Sequence, residues 1–333
     1  MQPDDTADAE PQRTRGLGFA AVGVVLATML VVIGGLGYFI VNGFPGGPDA
    51  ARRFDAQAAT TSRDRVPVAK VNRFDGPRAY RLTARQVGYG QRPAGSPALV
   101  RLAPVLRSLL PLAVFEPLPD STAAKPLRNI IGTIPGRRPA IVIGAHYDTL
   151  VKPVGFVGAN NGAAGSAVVV GIAEAMKRVR RAPGAPELKF VLFDGEEPDS
   201  GLPEEQADFY NTGLRGSRAY VAAHPGATRT MLLLDYVGGR NLTLPREASS
   251  DKALWKRVRA AATKVGVGSV FPDRSDILIQ DDHTPFLRAG VPAVDFIDWS
   301  YPGHSLQDGM KLISTKALDA VGETVVEYLR TAR

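Results

Sequence analysis

The chain has no cysteine among its 333 residues. That rules out thiolate metal ligands and lipidation at cysteine, and it leaves the redox compartment open. It also has no basic run interleaved with aromatic residues and no internal repeat, so neither a nucleic-acid binder nor a repeat architecture is expected. Histidine is scarce, with only four residues, and each can be weighed singly. Hydrophobic residues make up 44% and charged residues 22%, ordinary values for a globular protein long enough for one large α/β domain and an appendage.

The appendage lies at the start. Residues 17–41 carry no charge over 25 positions, and about 20 apolar residues span a bilayer. The run is too long for the apolar core of a signal peptide, and no A-x-A site follows it directly. The expectation is a cytoplasmic tail (1–16), a retained transmembrane anchor (17–41), a Pro- and Gly-rich linker (42–66) and a catalytic domain (67–333). Arg13 and Arg15 lie closer to the span than Arg52 and Arg53 do. This favours a single-pass protein of the cell membrane with its catalytic domain outside. The whole chain carries +7; since residues 1–41 hold two arginines and four acids, the remainder carries +9, a surface suited to lie near anionic headgroups.

Four short apolar runs each lead straight into acids or histidine. Residues 140–145 (AIVIGA) precede His146 and Asp148. Residues 188–193 (LKFVLF) precede Asp194, Glu196 and Glu197. Residues 231–234 (MLLL) end at Asp235, and 293–297 (AVDFI) precede Asp298 and His304. Such runs, alternating with helical patterns, read as buried parallel strands. Helices are expected at 75–87, 97–112 with a kink at Pro104, 165–179, 204–211, 217–223, 251–265, 284–289 and 315–330, and a further strand at 127–135. Ligands of open α/β sheets bind beyond the carboxyl ends of the strands. Carboxylates and imidazoles gathered there, without thiols, suit a borderline or hard divalent metal.

Within that set, Glu196 and Glu197 are adjacent in a turn and so point apart. One can ligate a metal while the other accepts a proton from the water it binds. Asp148 is placed to hydrogen-bond His146 and fix its tautomer. In QDDHTPF (280–286), either Asp281 or His283 can face the site. His224 reads as a helix-end cap. Asn161 also reads as a helix cap, which leaves its amide oxygen able to reach a cation.

Residues 144–149 (GAHYDT), 158–165 (GANNGAAG), 193–197 (FDGEE) and 235–238 (DYVG), followed by His304, stand in the order of a known family. From about residue 68 onward the chain resembles the zinc aminopeptidase and glutaminyl cyclase family. The resemblance implies a three-layer α/β domain with a mixed, mostly parallel sheet of about eight strands between helices. It implies metal ligation by His146, Asn161, Glu197, Asp235 and His304, with Glu196 as general base. The family's usual residue at position 161 is aspartate. A neutral amide bridges two cations poorly, so one tightly held zinc is expected, with any second more weakly bound. The first expectation is a zinc-dependent exopeptidase of the aminopeptidase type, acting on peptide N-termini through a metal-activated water. The alternative is a one-zinc glutaminyl-peptide cyclotransferase, in which Asp281 joins Glu196 and Asp235 in a proton network. The 280–288 motif resembles the cyclases closely, but the tryptophan that animal cyclases place directly before the last His ligand is Gly303 here. A third reading is a membrane-tethered binding module whose catalysis is impaired by Asn161.

Overall fold

The apolar runs form the middle of a six-stranded sheet. In the computed structural model, which describes residues 64–199 and 208–332, the strands are β1 (Val114–Pro117), β2 (Arg128–Ile134), β3 (Arg137–His146), β4 (Pro186–Phe193), β5 (Thr228–Leu234) and β6 (Ala293–Phe296). Their order is β1-β2-β4-β3-β5-β6. The pairs β4–β3, β3–β5 and β5–β6 are parallel, while β2 runs antiparallel to β4 and β1 antiparallel to β2. The sheet is therefore mixed, as expected, with six strands among the described residues rather than eight. The expected tail and anchor, and all but the end of the linker, lie outside the described residues. Among the residues described, no helix is long and apolar enough to cross a membrane.

Alternation along the strands divides the core. Ile141, Ile143 and Ala145 of β3 belong to the larger cluster, whereas Val142 between them belongs to the smaller one, the period of two that a pleated strand imposes. The larger face is covered by α1 (Gly76–Val87), α2 (Pro97–Leu109), α3 (Gly165–Arg178), α6 (Lys252–Lys264) and α8 (Thr315–Thr331). The smaller face receives Tyr220 of α5 (Arg215–Ala223) and Phe286 of α7 (Thr284–Arg288). A short helix, α4 (Phe209–Thr212), precedes α5. Asp75, Ser96, Asp251 and Ser314 each accept the amide of the residue three further on, so these helices start where a side chain meets an otherwise unpaired N–H. Pro104 lies inside α2 without ending it; the helix stops at Leu109, three residues short of expectation. Phe74 is wedged between α3 and α8, and Cβ atoms at Gly171 and Gly322 would lie only 2.5 and 2.3 Å from its ring.

Register brings the functional ends level. His146 pairs with Phe193, Gly144 with Leu233, and Leu234 with Phe296. The chain leaves β3 toward β4 and leaves β5 toward β6, in opposite directions. That reversal opens a crevice beyond the carboxyl ends of β3 and β5.

Candidate active site

His146 closes β3 and is buried. Its Nδ1 lies 3.5 Å from Asp148 and 3.7 Å from Glu196, and its Nε2 lies 3.5 Å from Asp235. Neither nitrogen makes a hydrogen bond. Burial opposes a charge on this ring, but Glu196, Asp148 and Asp235 outweigh it and hold the imidazole well above its usual range. Asp148 does more than face the ring. Its two oxygens accept the backbone N–H groups of Glu196 and Glu197 at 3.3 and 3.2 Å, so it shapes the acidic turn after β4. Gly195 opens that turn at φ +71°, and a Cβ there would meet the Arg215 guanidinium at 2.6 Å; only glycine satisfies both demands.

Glu196 and Glu197 are both buried. Burial first, and then Glu197 beside it, push Glu196 well above the carboxylate range. Glu197 is raised chiefly by burial, with His304 and His146 pulling against the rise. Its Oε1 lies 4.0 Å from His304 Nε2 and accepts the Asn161 amide at 2.8 Å. Asn161 also donates to the Tyr236 hydroxyl at 3.3 Å, while its Oδ1 is buried without a hydrogen-bond partner.

The helix-cap reading of Asn161 is corrected by the structure. Asn161 has a non-helical backbone (φ −77°, ψ 96°) at a kink within Ala159–Ala164, and α3 begins after it with no side-chain cap. Asp308 takes the acceptor role instead, receiving the N–H groups of Asn160 and Asn161 at 2.8 and 3.0 Å. This frees the Asn161 side chain to turn toward Glu197. Asp308 is itself buried and held by the Tyr301 hydroxyl at 2.7 Å. Nothing in its local sequence marks it.

Asp235 follows β5 and accepts the N–H of Tyr236 at 2.8 Å. Asp281 lines the same cleft as Glu196, Glu197, Asp235 and His304, and burial together with Asp235 raises it well above the carboxylate range. His283 faces away from the cleft. It is buried 3.0 Å from Ser249 Oγ and 3.3 Å from Glu247. Of the two possibilities in QDDHTPF, Asp281 is therefore the residue in the cleft. His224 stands apart, 2.6 Å from Glu116.

Two aromatic residues that the motifs did not single out complete the wall. Tyr236 stacks on Trp299 at 6.0 Å, and His304 meets both rings edge-on at 6.0 and 6.1 Å. The Tyr236 ring occupies the space a side chain at Gly303 would need, since a Cβ there would lie 2.2 Å from it. Two larger cavities, about 480 and 560 Å³, contain none of these residues, so size does not mark the chemistry.

Among the described residues, no three His, Asp or Glu side chains come together as a ready metal cage. An ion beside Glu197 and His304 would need a third donor. The partnerless Asn161 oxygen supplies one, and amide, carboxylate and imidazole together suit a borderline divalent ion.

Known proteins agree with this architecture. The chain is similar to a glutaminyl-peptide cyclotransferase of Bothrops jararaca, 26% identical over 240 residues, covering 60% of this chain and 65% of that one. It thus spans just under two thirds of that relative's length. It is similar in structure to a Porphyromonas gingivalis glutaminyl cyclase, with a TM-score of 0.67 and 27% identity over 78% of this chain and 99% of that one. A leucine aminopeptidase precursor from Bacteroides thetaiotaomicron is as similar, with a TM-score of 0.69 and 27% identity over 80% and 100% of the two chains. The model of peptidase family M28 matches residues 129–329, more than half of the sequence, and the chain belongs to that family.

Proposed function

We propose that the chain acts on peptide N-termini and closes N-terminal glutamine into pyroglutamate, using one zinc held by Glu197, His304 and the Asn161 oxygen. The observation that carries this is the Asn161–Glu197 contact. With its nitrogen donated to Glu197 and only one neutral oxygen left over, position 161 is ill suited to bridge two cations. His146 lies among Asp148, Glu196 and Asp235. A bound zinc would polarise the side-chain amide of the substrate glutamine. The carboxylates of the cleft would hold the free α-amine of that glutamine. Glu196 would take a proton from that amine as its nitrogen bonds to the amide carbon, and return it to the departing ammonia. Asp281 and Asp235 would keep the carriers in exchange. No water is consumed.

Hydrolysis of the first peptide bond is the second reading. Gly303 favours it, because the animal cyclases' aromatic side chain is missing there and Tyr236 fills the space. Either reaction would be tethered to a bilayer by residues 17–41, and retention of full-size protein in carbonate-washed membranes would support that. The deciding experiment offers the zinc-loaded protein glutaminyl peptides and aminoacyl reporters side by side. Loss of one ammonia from the peptide supports cyclisation, and a released amino acid supports hydrolysis. Inactivity on both, with selective peptide binding, favours the binding module.

A further inference from the structure

Thr230 is a polar residue where the strand pattern calls for an apolar one. In β5, Met231 and Leu233 belong to the smaller core cluster, and Leu232 and Leu234 to the larger one. The same alternation turns Thr230 toward the larger face, which α6 and α8 cover. The residue is 6% exposed, and its Oγ1 is buried without a hydrogen-bond partner among the described residues. An unpaired buried hydroxyl costs stability, and valine would fill the same space without that cost. Such a group in a folded protein asks for a partner.

Thr230 lines a cavity of about 480 Å³ whose walls come from β3, β5, α6 and α8, a volume typical of small-molecule sites. Ile141, Ala261 and Tyr328, all buried, give it apolar walls. Arg229, Arg257 and Lys264 line it as well and are exposed, so the cations stand on its open side and the hydroxyl on its closed side. The carboxylate in the lining, Glu327, is already held by Lys264 at 2.7 Å, Arg73 at 3.0 Å and Arg330 at 3.1 Å. The balance toward a ligand is therefore positive. We propose that this cavity is a second binding site, for a small organic anion with an apolar body. Its carboxylate lies among Arg229, Arg257 and Lys264, and an oxygen at its far end meets Thr230. A guanidinium fork suits a carboxylate, and a hydroxyl can donate to or accept from the second oxygen. Ile141 and Thr230 lie five residues before His146 and Asp235 along β3 and β5, roughly 16 Å back along the strands. The ligand thus occupies the opposite end of the sheet from the cleft, and the site stands whether or not the proposed reaction does.

Titration calorimetry on the full chain tests this with para-hydroxyphenylpropionate, which carries a carboxylate, an apolar body and a distal oxygen. It should bind about 10-fold tighter than phenylpropionate, which lacks the oxygen, and about 10-fold tighter than the uncharged para-hydroxyphenylpropanol. Thr230→Val should erase the first preference, and Thr230→Ser should keep it. Arg257→Gln, a change at an exposed position that leaves the core alone, should reduce the second preference to about 3-fold. Melting curves without ligand give an independent readout. Thr230→Val should melt above the wild type, because it removes an unpaired buried hydroxyl. Failure of the wild type to bind the probe at millimolar concentration would overturn the site. So would binding that survives both Thr230→Val and Arg257→Gln, since the probe would then sit elsewhere. A Thr230→Val variant that melts below the wild type would also overturn it, because the hydroxyl would then be satisfied without a ligand.

Discussion

The Asn161 amide nitrogen sits 2.8 Å from Glu197 Oε1, and the oxygen of the same amide has no partner. The contact gives the buried Glu197 carboxylate a neutral donor rather than a second charge. A carboxylate at 161 would face Glu197 as a like charge and would need a cation between them.

Asn161→Asp should therefore couple stability to zinc. Without metal the variant is expected to melt below the wild type, because a favourable contact becomes a repulsive one. With zinc it should bind at least about 10-fold tighter, the carboxylate being the better donor. Calorimetric titration with melting curves at matched zinc concentrations checks both halves. A variant that melts like the wild type without metal and binds zinc no better would remove the meaning assigned to the contact.

Glu196→Gln and His304→Ala should fail in different ways. The glutamine variant keeps the shape and the neighbours of Glu196 but cannot carry a proton, so it should retain zinc and lose about 10²–10⁴ in kcat. The alanine variant should lose zinc itself. Metal content measured beside initial rates separates the two. Zinc loss in Glu196→Gln, or a rate within a few-fold of wild type, would reassign that residue.

The sheet's middle was legible because strands buried on both faces are close to continuously apolar, as 190–193 and 231–234 are. The helix starts at Asp75 and Asp251 were legible because a capping side chain acts three residues away. β1 was missed. Val114–Pro117 is a four-residue, half-exposed edge strand containing proline, too short to show a period. Asp308 was missed for a different reason, since it serves the N–H of Asn161 from 147 residues away. Asp281 and His283 stand two apart in one turn, and only packing of the turn against Glu247 and Ser249 decides which enters the cleft. The expectation of eight strands came from the family resemblance and not from any pattern in the chain.

Gly322→Ala should reverse the usual sign of a helix substitution. Replacing glycine by alanine inside a helix ordinarily stabilises by roughly 0.5–1 kcal/mol. Here the new methyl would lie 2.3 Å from the Phe74 ring, and overpacking of this kind costs about 1–3 kcal/mol. Urea unfolding should show a net loss, and Phe74→Leu in the same chain should recover part of it. A stabilised single variant would mean that Phe74 moves freely.

Glu247 links the cleft to acid stability. Its carboxylate is buried and accepts N–H groups from Ser249, Ser250 and Ile279 at 2.8, 2.8 and 3.2 Å, with His283 at 3.3 Å. Burial pushes it upward, but His283 and Ser249 outweigh that and hold it at about 2. A carboxylate depressed in the folded state contributes stability above its unfolded value and loses it as pH falls. The window here runs from the ordinary glutamate value of about 4.3 down through the folded value. Near neutral pH that contribution is fully present. Glu247→Gln should thus be markedly less stable than wild type at pH 7, and the gap should narrow between pH 4 and pH 2 as the wild type loses its advantage. Because Ile279 hangs from Glu247, the same variant should loosen the 279–281 segment and raise KM more than it lowers kcat. Urea unfolding at pH 7, 4 and 2.5 measures the first effect and steady-state kinetics the second. A stability gap that stays constant across those pH values would show that Glu247 acts by packing alone.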